Sequence, residues 1–187
     1  MRSRTLFSSL GLSLSLAASL SAQASGPPAT PTSTTGAPAT TYYPLYGVSA
    51  GIAIPAGRLG DDHSAGYGIG GLVEFAVPNQ PYALRAEGMF QRFALKSGRT
   101  VGKDVNLFSI GPTIMYQMNQ APTQTFLTGG IAIYSASGEG TRPGFNFGSG
   151  IGFPLADFSA LSEIRLHVML AEGKPVLSLP LSIGVKF

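Results

Sequence analysis

The chain has 187 residues, enough for one domain of ordinary size, and only 11% of them are charged. Its 12 basic residues include Arg2 and Arg4 in the N-terminal head; without those two, 10 bases face 9 acids, a net charge of about +1. That balance excludes the concentrated basic surface that nucleic-acid binding needs, and the lack of cysteine excludes disulfides, thiolate metal sites and a lipidated cysteine.

Arg2 and Arg4 precede an apolar run from Leu6 to Leu20 that is softened by Ser and Gly, and Ala22-Gln23-Ala24 supplies small residues for cleavage. The pattern predicts a secretory signal peptide over 1–24. The run is too short and too serine-rich for a helical span of about 20 apolar residues. Residues 25–42, SGPPATPTSTTGAPATTY, carry no charge and almost no large apolar group. Such a segment cannot bury enough surface to offset its ordering entropy, so it reads as a flexible leader. Its Ser/Thr/Pro composition also permits an O-glycosylated tether.

From Tyr43 onward the recurring signal has period two, which is strand geometry. Strands are predicted near 44–54, 65–77, 82–95, 105–118, 125–137, 145–156, 159–171 and 176–187. The last is the clearest: Leu177, Leu179, Leu181, Ile183, Val185 and Phe187 share one face, and Ser178, Pro180, Ser182, Gly184 and Lys186 the other. In the seventh, Ile164, Leu166, Val168 and Leu170 oppose Glu163, Arg165 and His167; in the sixth, Phe145, Phe147, Ile151, Phe153 and Leu155 alternate with Asn146, Gly148, Gly150 and Gly152. Pro112, Pro154 and Pro180 fall inside these strands and predict a bulge or a broken ladder bond.

The second face decides which way the strands point. A soluble sandwich or barrel would show Lys and Glu to water; here that face is mostly Gly, Ser, Ala and Thr. Small residues suit the crowded interior of a narrow barrel. The large apolar residues then face outward, where only lipid tolerates a continuous band of them. In lipid every backbone group must be paired within the protein, so the sheet must close. The predicted fold is all-β: an eight-stranded antiparallel up-and-down transmembrane barrel over 43–187, each strand reaching the roughly 9–11 residues a tilted crossing needs.

The connections fall into two kinds. PNQP (78–81), NQAPTQ (119–124) and the turn at Asp157 are nearly uncharged and read as periplasmic turns. AGRLGDDHS (56–64), KSGRTVGKD (96–104), GEGTRPG (138–144) and EGKP (172–175) hold most of the loop charge and read as extracellular loops. Tyr43, Tyr46, Tyr82, Phe93, Tyr116 and Phe187 lie near strand ends, where interface girdles sit. Arg92 has lipid-facing parity near an extracellular end, where it can snorkel.

With the leading segment, the eight alternating segments and the ending Leu181, Ile183, Val185, Phe187, residues 43–187 resemble the small outer-membrane β-barrel proteins of the OmpX/OmpA transmembrane-domain type. The resemblance implies residence in a bacterial outer membrane among lipid and lipopolysaccharide. It also implies recognition of the terminal Phe187 pattern by the barrel-assembly machinery. Membership of this family does not fix a function.

The interior parity collects Glu74, Arg85, Glu87, Glu163, Arg165, His167 and Lys186. Apart from His167 these are three acids and three bases, which predicts a network of paired charges filling the periplasmic half of the lumen, since buried charges persist only when paired. The alternative reading of the set is an ion gate, a narrow porin-like transport barrel. A lipid-modifying enzyme is a further alternative, but His167 points inward, and His63 beside Asp61, Asp62 and Ser64 reads as a solvated loop histidine rather than a metal site or triad. The Gly-rich stretches at 68–71 and 129–130 precede no helix and are not phosphate loops. Lys96, Arg99 and Lys103 form a basic loop cluster suited to lipopolysaccharide phosphates, with a merely solvated loop as the other reading. No catalytic residue, metal, cofactor or small-molecule substrate is inferred.

Overall fold

The computed structural model describes residues 43–98, 102–119 and 122–187; the signal peptide over 1–24 and the leader over 25–42 lie outside them. Eight antiparallel strands close into an up-and-down barrel in sequence order. They are β1 (Leu45–Ala56), β2 (Gly66–Ala76), β3 (Tyr82–Phe93), β4 (Val105–Gln117), β5 (Gln124–Ala136), β6 (Gly140–Leu155), β7 (Phe158–Met169) and β8 (Val176–Lys186), with one short helix, α1 (Gly57–Asp62), between β1 and β2. β8 returns to β1 from Gly47↔Lys186 to Ala56↔Leu177, and Tyr46 and Phe187 exchange backbone bonds of 3.0 and 2.9 Å at the seam. No helix among the described residues is long and apolar enough to cross a membrane, which leaves strands unaddressed.

Side chains alternate across the wall as the period-two pattern requires. Ile183 is 69% exposed and Ile131 67%, whereas their neighbours on the other face, such as Ser182 and Ala132, are buried. Small inward residues make room for large inward ones. A Cβ on Gly144 would press on the Tyr134 ring, and one on Gly150 on the Phe126 ring; Tyr134 and Phe126 are both buried in the lumen.

The three strand prolines behave differently. β4 and β5 keep one register, but the paired residues skip from Ile110↔Ile133 to Thr113↔Gly130, leaving a gap at Pro112. β7 and β8 skip from Ile164↔Leu181 to His167↔Ser178, a gap at Pro180. These are broken rungs and not bulges, because the register on both sides of each gap is the same. Pro112 stays paired with β3 through Ala86 and Pro180 with β1 through Ala53. Pro154 sits beyond the reach of β5, whose pairing with β6 ends at Gly152, so its missing N–H costs no rung on that side.

Three expectations need correction. The sixth strand begins at Gly140, not Phe145, because the β5–β6 ladder continues to Ala136↔Gly140. The segment GEGTRPG is therefore mostly hairpin, turned at Ser137–Glu139 with Gly138 and Gly140 at positive φ. Phe93 is not an interface aromatic: it is fully buried in the lumen, since it shares parity with Arg85. Tyr43, Tyr46, Tyr82, Tyr116 and Phe187 do face outward. The first connection, expected as a plain loop, holds α1, whose Leu59 turns into the barrel mouth.

The β6–β7 turn has two central residues, Ala156 and Asp157, and Ala156 takes φ 48°. An L-residue in that region is strained by about 1–2 kcal/mol, and glycine is favoured there in tight hairpins. Ala156→Gly should raise unfolding stability by up to about 1 kcal/mol after its own entropy cost, read as a later midpoint in a denaturant titration. A clear loss of stability would contradict the turn geometry.

Candidate functional site: a layered lumen and a laced loop end

The inward faces of β2, β3, β7 and β8 bring six charged side chains together. Arg85 is central. Its Nη2 donates to Glu74 Oε2 at 2.9 Å and its Nε to the same oxygen at 3.2 Å. Its Nη1 reaches Glu163 Oε2 at 3.2 Å and Glu87 Oε2 at 3.8 Å. Arg165 pairs with both Glu87 and Glu163, and Lys186 Nζ meets Glu74 Oε1 at 2.8 Å. Every acid in the set thus touches at least two cations, and the three acids balance the three bases. Register explains part of this: Glu74 is the cross-strand partner of Arg85. Closure explains the rest, since Arg85–Glu163 spans the lumen between strands opposite in the ring.

Neutral groups complete the shell, and no local pattern in the sequence marks them. Thr128 donates to Glu163 at 2.9 Å and Thr113 to Glu87 at 3.1 Å, which brings β4 and β5 into the network. Arg85 Nη2 also lies 3.1 Å from the Met115 sulfur, and its guanidinium stands 5.8 Å from the Phe126 ring centroid. Met115 and Phe126 join Ala83 in a small apolar cluster at the turn end. A larger apolar cluster fills the loop end: Leu59, Phe93, Leu107, Tyr134, Met169 and Val176 with smaller neighbours. The lumen is therefore layered, with the charges between two apolar clusters and Lys186 lining an open space at the turn end with Pro122, Gln124 and Pro154.

His167, assigned inward with the charges, stands apart from them. Its Nδ1 lies 3.2 Å from the Tyr134 hydroxyl, and among the described residues its hydrogen-bond partner is that hydroxyl and not a carboxylate. His63 also has a structural setting: its Nδ1 faces the Leu59 carbonyl at 3.2 Å and its Nε2 the Lys103 carbonyl at 3.1 Å. Among the described residues, no group of three or more His, Asp or Glu is placed to hold a metal ion.

Of the basic loop residues, Lys96 and Lys103 have contacts among the described residues. Lys96 Nζ donates to the carbonyls of Gly60 at 2.6 Å and Asp61 at 3.2 Å, closing the end of α1. Lys103 presents its carbonyl to His63, and Arg99 lies outside the described residues. Other pairs lace the loop end: Arg58–Glu139 at 2.7 Å, Arg142–Glu172 at 2.7 Å and Arg92–Asp104 at 2.9 Å. Arg92 is outward-facing, as its parity requires, and half exposed. The Leu95 backbone N–H, and then the Arg92 guanidinium, hold the Asp104 carboxyl below its ordinary value.

No protein-family model matches the chain, and no curated protein sequence matches it. Solved structures do. The Neisserial surface protein A aligns with a TM-score of 0.62 at 16% identity, over 76% of this chain and 95% of that one. The Yersinia pestis outer membrane protein Ail, determined in a phospholipid bilayer nanodisc, aligns with a TM-score of 0.52 at 13% identity, over 78% of this chain and all of that one. The chain thus has the fold of the small eight-stranded outer-membrane barrels, the class that its closed sheet and outward apolar belt define.

Two outcomes check this geometry. Arg85→Ala leaves Glu74 and Glu163 buried with reduced compensation, and breaking a buried pair in this way costs about 3–5 kcal/mol. Urea unfolding of the variant in lipid vesicles should show a loss of that order, whereas a loss below about 1 kcal/mol would mean the network is not buried. At the loop end, Arg92→Gln should move the Asp104 titration midpoint upward in carboxyl-carbon NMR. Because Asp104 is depressed in the folded state, its contribution is present above its unfolded pKa and fades as pH falls through the folded value. An unmoved midpoint would show that the Arg92 pair does not form.

Proposed function

We propose that this protein is an integral outer-membrane β-barrel with a membrane-structural or surface-interaction role, no catalysis, and a lumen plugged by paired charges. One observation carries the reading: the barrel's polarity is inverted. Large apolar side chains, including Val48, Ile69, Ile110, Ile131, Phe147 and Ile183, are exposed around the outside, while Arg85, Glu74, Glu163 and Arg165 are buried within. An apolar surface of that extent belongs in lipid, and a charged set of that kind persists inside only when paired. An eight-stranded interior is just wide enough for side chains to fill it, and the paired charges with an apolar cluster on either side occupy it here, which supports the plug.

Export by a signal peptide over 1–24 and insertion by the barrel-assembly machinery belong to the same reading. Leu181, Ile183 and Phe187 face outward on the closing strand, which supports their role as the assembly signal. The two solved barrels above are named as a surface protein and an outer membrane protein, which supports a surface role here. With Lys96 engaged by α1, contact with lipopolysaccharide phosphate falls to Arg99 and Lys103, and replacing both by Gln should weaken salt-sensitive binding to lipopolysaccharide vesicles.

The proposal is tested on the purified chain. It should fractionate with outer membranes, require detergent, run heat-modifiably on a gel, and give no stable selective pore in planar bilayers. Recovery in the soluble fraction would contradict the membrane reading. A stable conductance would contradict the plug and favour the transport alternative.

A further inference from the structure

Between the charged layer and the loop-end cluster, β6, β7 and β8 place a row of neutral polar side chains. Asn146 is the cross-strand partner of His167, and His167 is the partner of Ser178. All three are more than nine-tenths buried. Among the described residues, Asn146 Oδ1, His167 Nε2 and Ser178 Oγ have no protein hydrogen-bond partner, and neither have the two side-chain amide atoms of Gln91 on β3, outside this row. Buried polar atoms left unsatisfied are strongly disfavoured, so three on adjacent strands of one face call for a shared ligand.

The hydrogen-bond inventory identifies its chemistry. The Tyr134 hydroxyl lies 3.1 Å from the Phe145 carbonyl, which can only accept, so the single hydroxyl proton points there. His167 Nδ1, 3.2 Å from the same hydroxyl, must then donate to it. A neutral His167 therefore carries its proton on Nδ1 and turns the Nε2 lone pair to the row. Asn146 Oδ1 offers a second lone pair, and Ser178 Oγ offers one proton. The ligand must give two hydrogens and accept one.

A cation does not fit. The row contains no carboxylate, and the next inward residue on β7 toward the turn end is the Arg165 guanidinium, whose charge repels an ammonium or a metal ion. Water fits the count: one hydrogen to His167 Nε2, one to Asn146 Oδ1, and its oxygen accepting from Ser178. Each neighbouring pair, Asn146–His167 and His167–Ser178, stands about 4.5–5.5 Å apart at Cβ, and His167 is the middle member, so a molecule held at its Nε2 has one flanking group on either side. The neighbouring interior also has room for water. A space of ≈ 20 Å³ lies in the charged layer, lined by Glu87, Glu163, Arg165, Pro180 and Ser182 among others and by none of the three row residues, and it is enough for one molecule there.

We infer that Asn146, His167 and Ser178 form a built-in binding site for an ordered water molecule, which fixes the His167 tautomer and hydrates the lumen up to the loop-end cluster. The inference uses the barrel interior alone and does not depend on which membrane holds the protein. The test uses the full chain in detergent micelles with labelled histidine. His167 should show a ¹⁵N pattern of a protonated Nδ1 and a hydrogen-bonded bare Nε2, with cross-peaks from its ring protons to a long-lived water. His63, the chain's other histidine, serves as the internal reference. Ser178→Ala should leave the unfolding midpoint unchanged or lower it, because it removes a bond to the water. A protonated Nε2, the absence of a long-lived water at a resolved His167 ring, or a higher midpoint for Ser178→Ala would each overturn the inference. The last would mean that the hydroxyl is buried dry.

Discussion

Everything in this structure follows from the need to pair backbone polar groups within a closed sheet. A strand in hydrocarbon has no water to satisfy its N–H and C=O groups, and an open edge would leave a row of them bare. The β1–β8 seam removes that edge. Closure then fixes the two faces: every second side chain points out to the surroundings and every other one into a narrow interior. The prolines show how strict the requirement is. Pro112 and Pro180 each interrupt one ladder while the ladder on their other side continues, so each break is confined to one seam of the wall.

The interior answers a second constraint, which is that charges removed from water need partners. Three acids and three bases satisfy one another across β2, β3, β7 and β8, with Thr113 and Thr128 occupying further carboxylate lone pairs. Buried ion pairs are weak stabilisers relative to well-packed apolar groups. Their value here lies in specificity. The Glu74–Arg85 pair matches the β2–β3 register, and the Arg85–Glu163 pair forms only when opposite walls of the ring are correctly placed. A strand slipped by one residue would turn its charges to the outer face. Apolar clusters lie on both sides of this layer, and the neutral polar row of Asn146, His167 and Ser178 stands between the charges and the loop-end cluster.

Much of this was legible in the sequence because strand parity is a strict code. The alternation around Glu163, Arg165 and His167, and the final run to Phe187, assign their faces without coordinates. Parity is blind where both faces are apolar. In β4, Leu107 and Met115 point in while Phe108, Ile110 and Ile114 point out, and only the ring as a whole separates them. Phe93 lies near a strand end, as interface aromatics do, but its parity with Arg85 turns it into the lumen. The early start of β6 was hidden because GEGTRPG has turn composition, and composition does not show that a ladder continues through Pro143 and Gly144. α1 is too short to show a helical period, and its seating depends on tertiary bonds from Lys96 and His63. The partners of Arg85 beyond charge, Met115 and Phe126, come from strands distant in sequence and carry no local signal.

The central claim is the inverted wall, and the chain's lack of cysteine permits a direct measurement of it. Single cysteines placed at Ile131, Phe147 and Ile183, and at Thr128 and Ser182, can each carry a fluorescent label in a barrel reconstituted with brominated lipid. Labels at the first three positions should be strongly quenched by the lipid, and those at Thr128 and Ser182 should not. Quenching at Thr128 and Ser182 with protection at Ile131, Phe147 and Ile183 would mean that the apolar side chains form a central core, and would contradict the account.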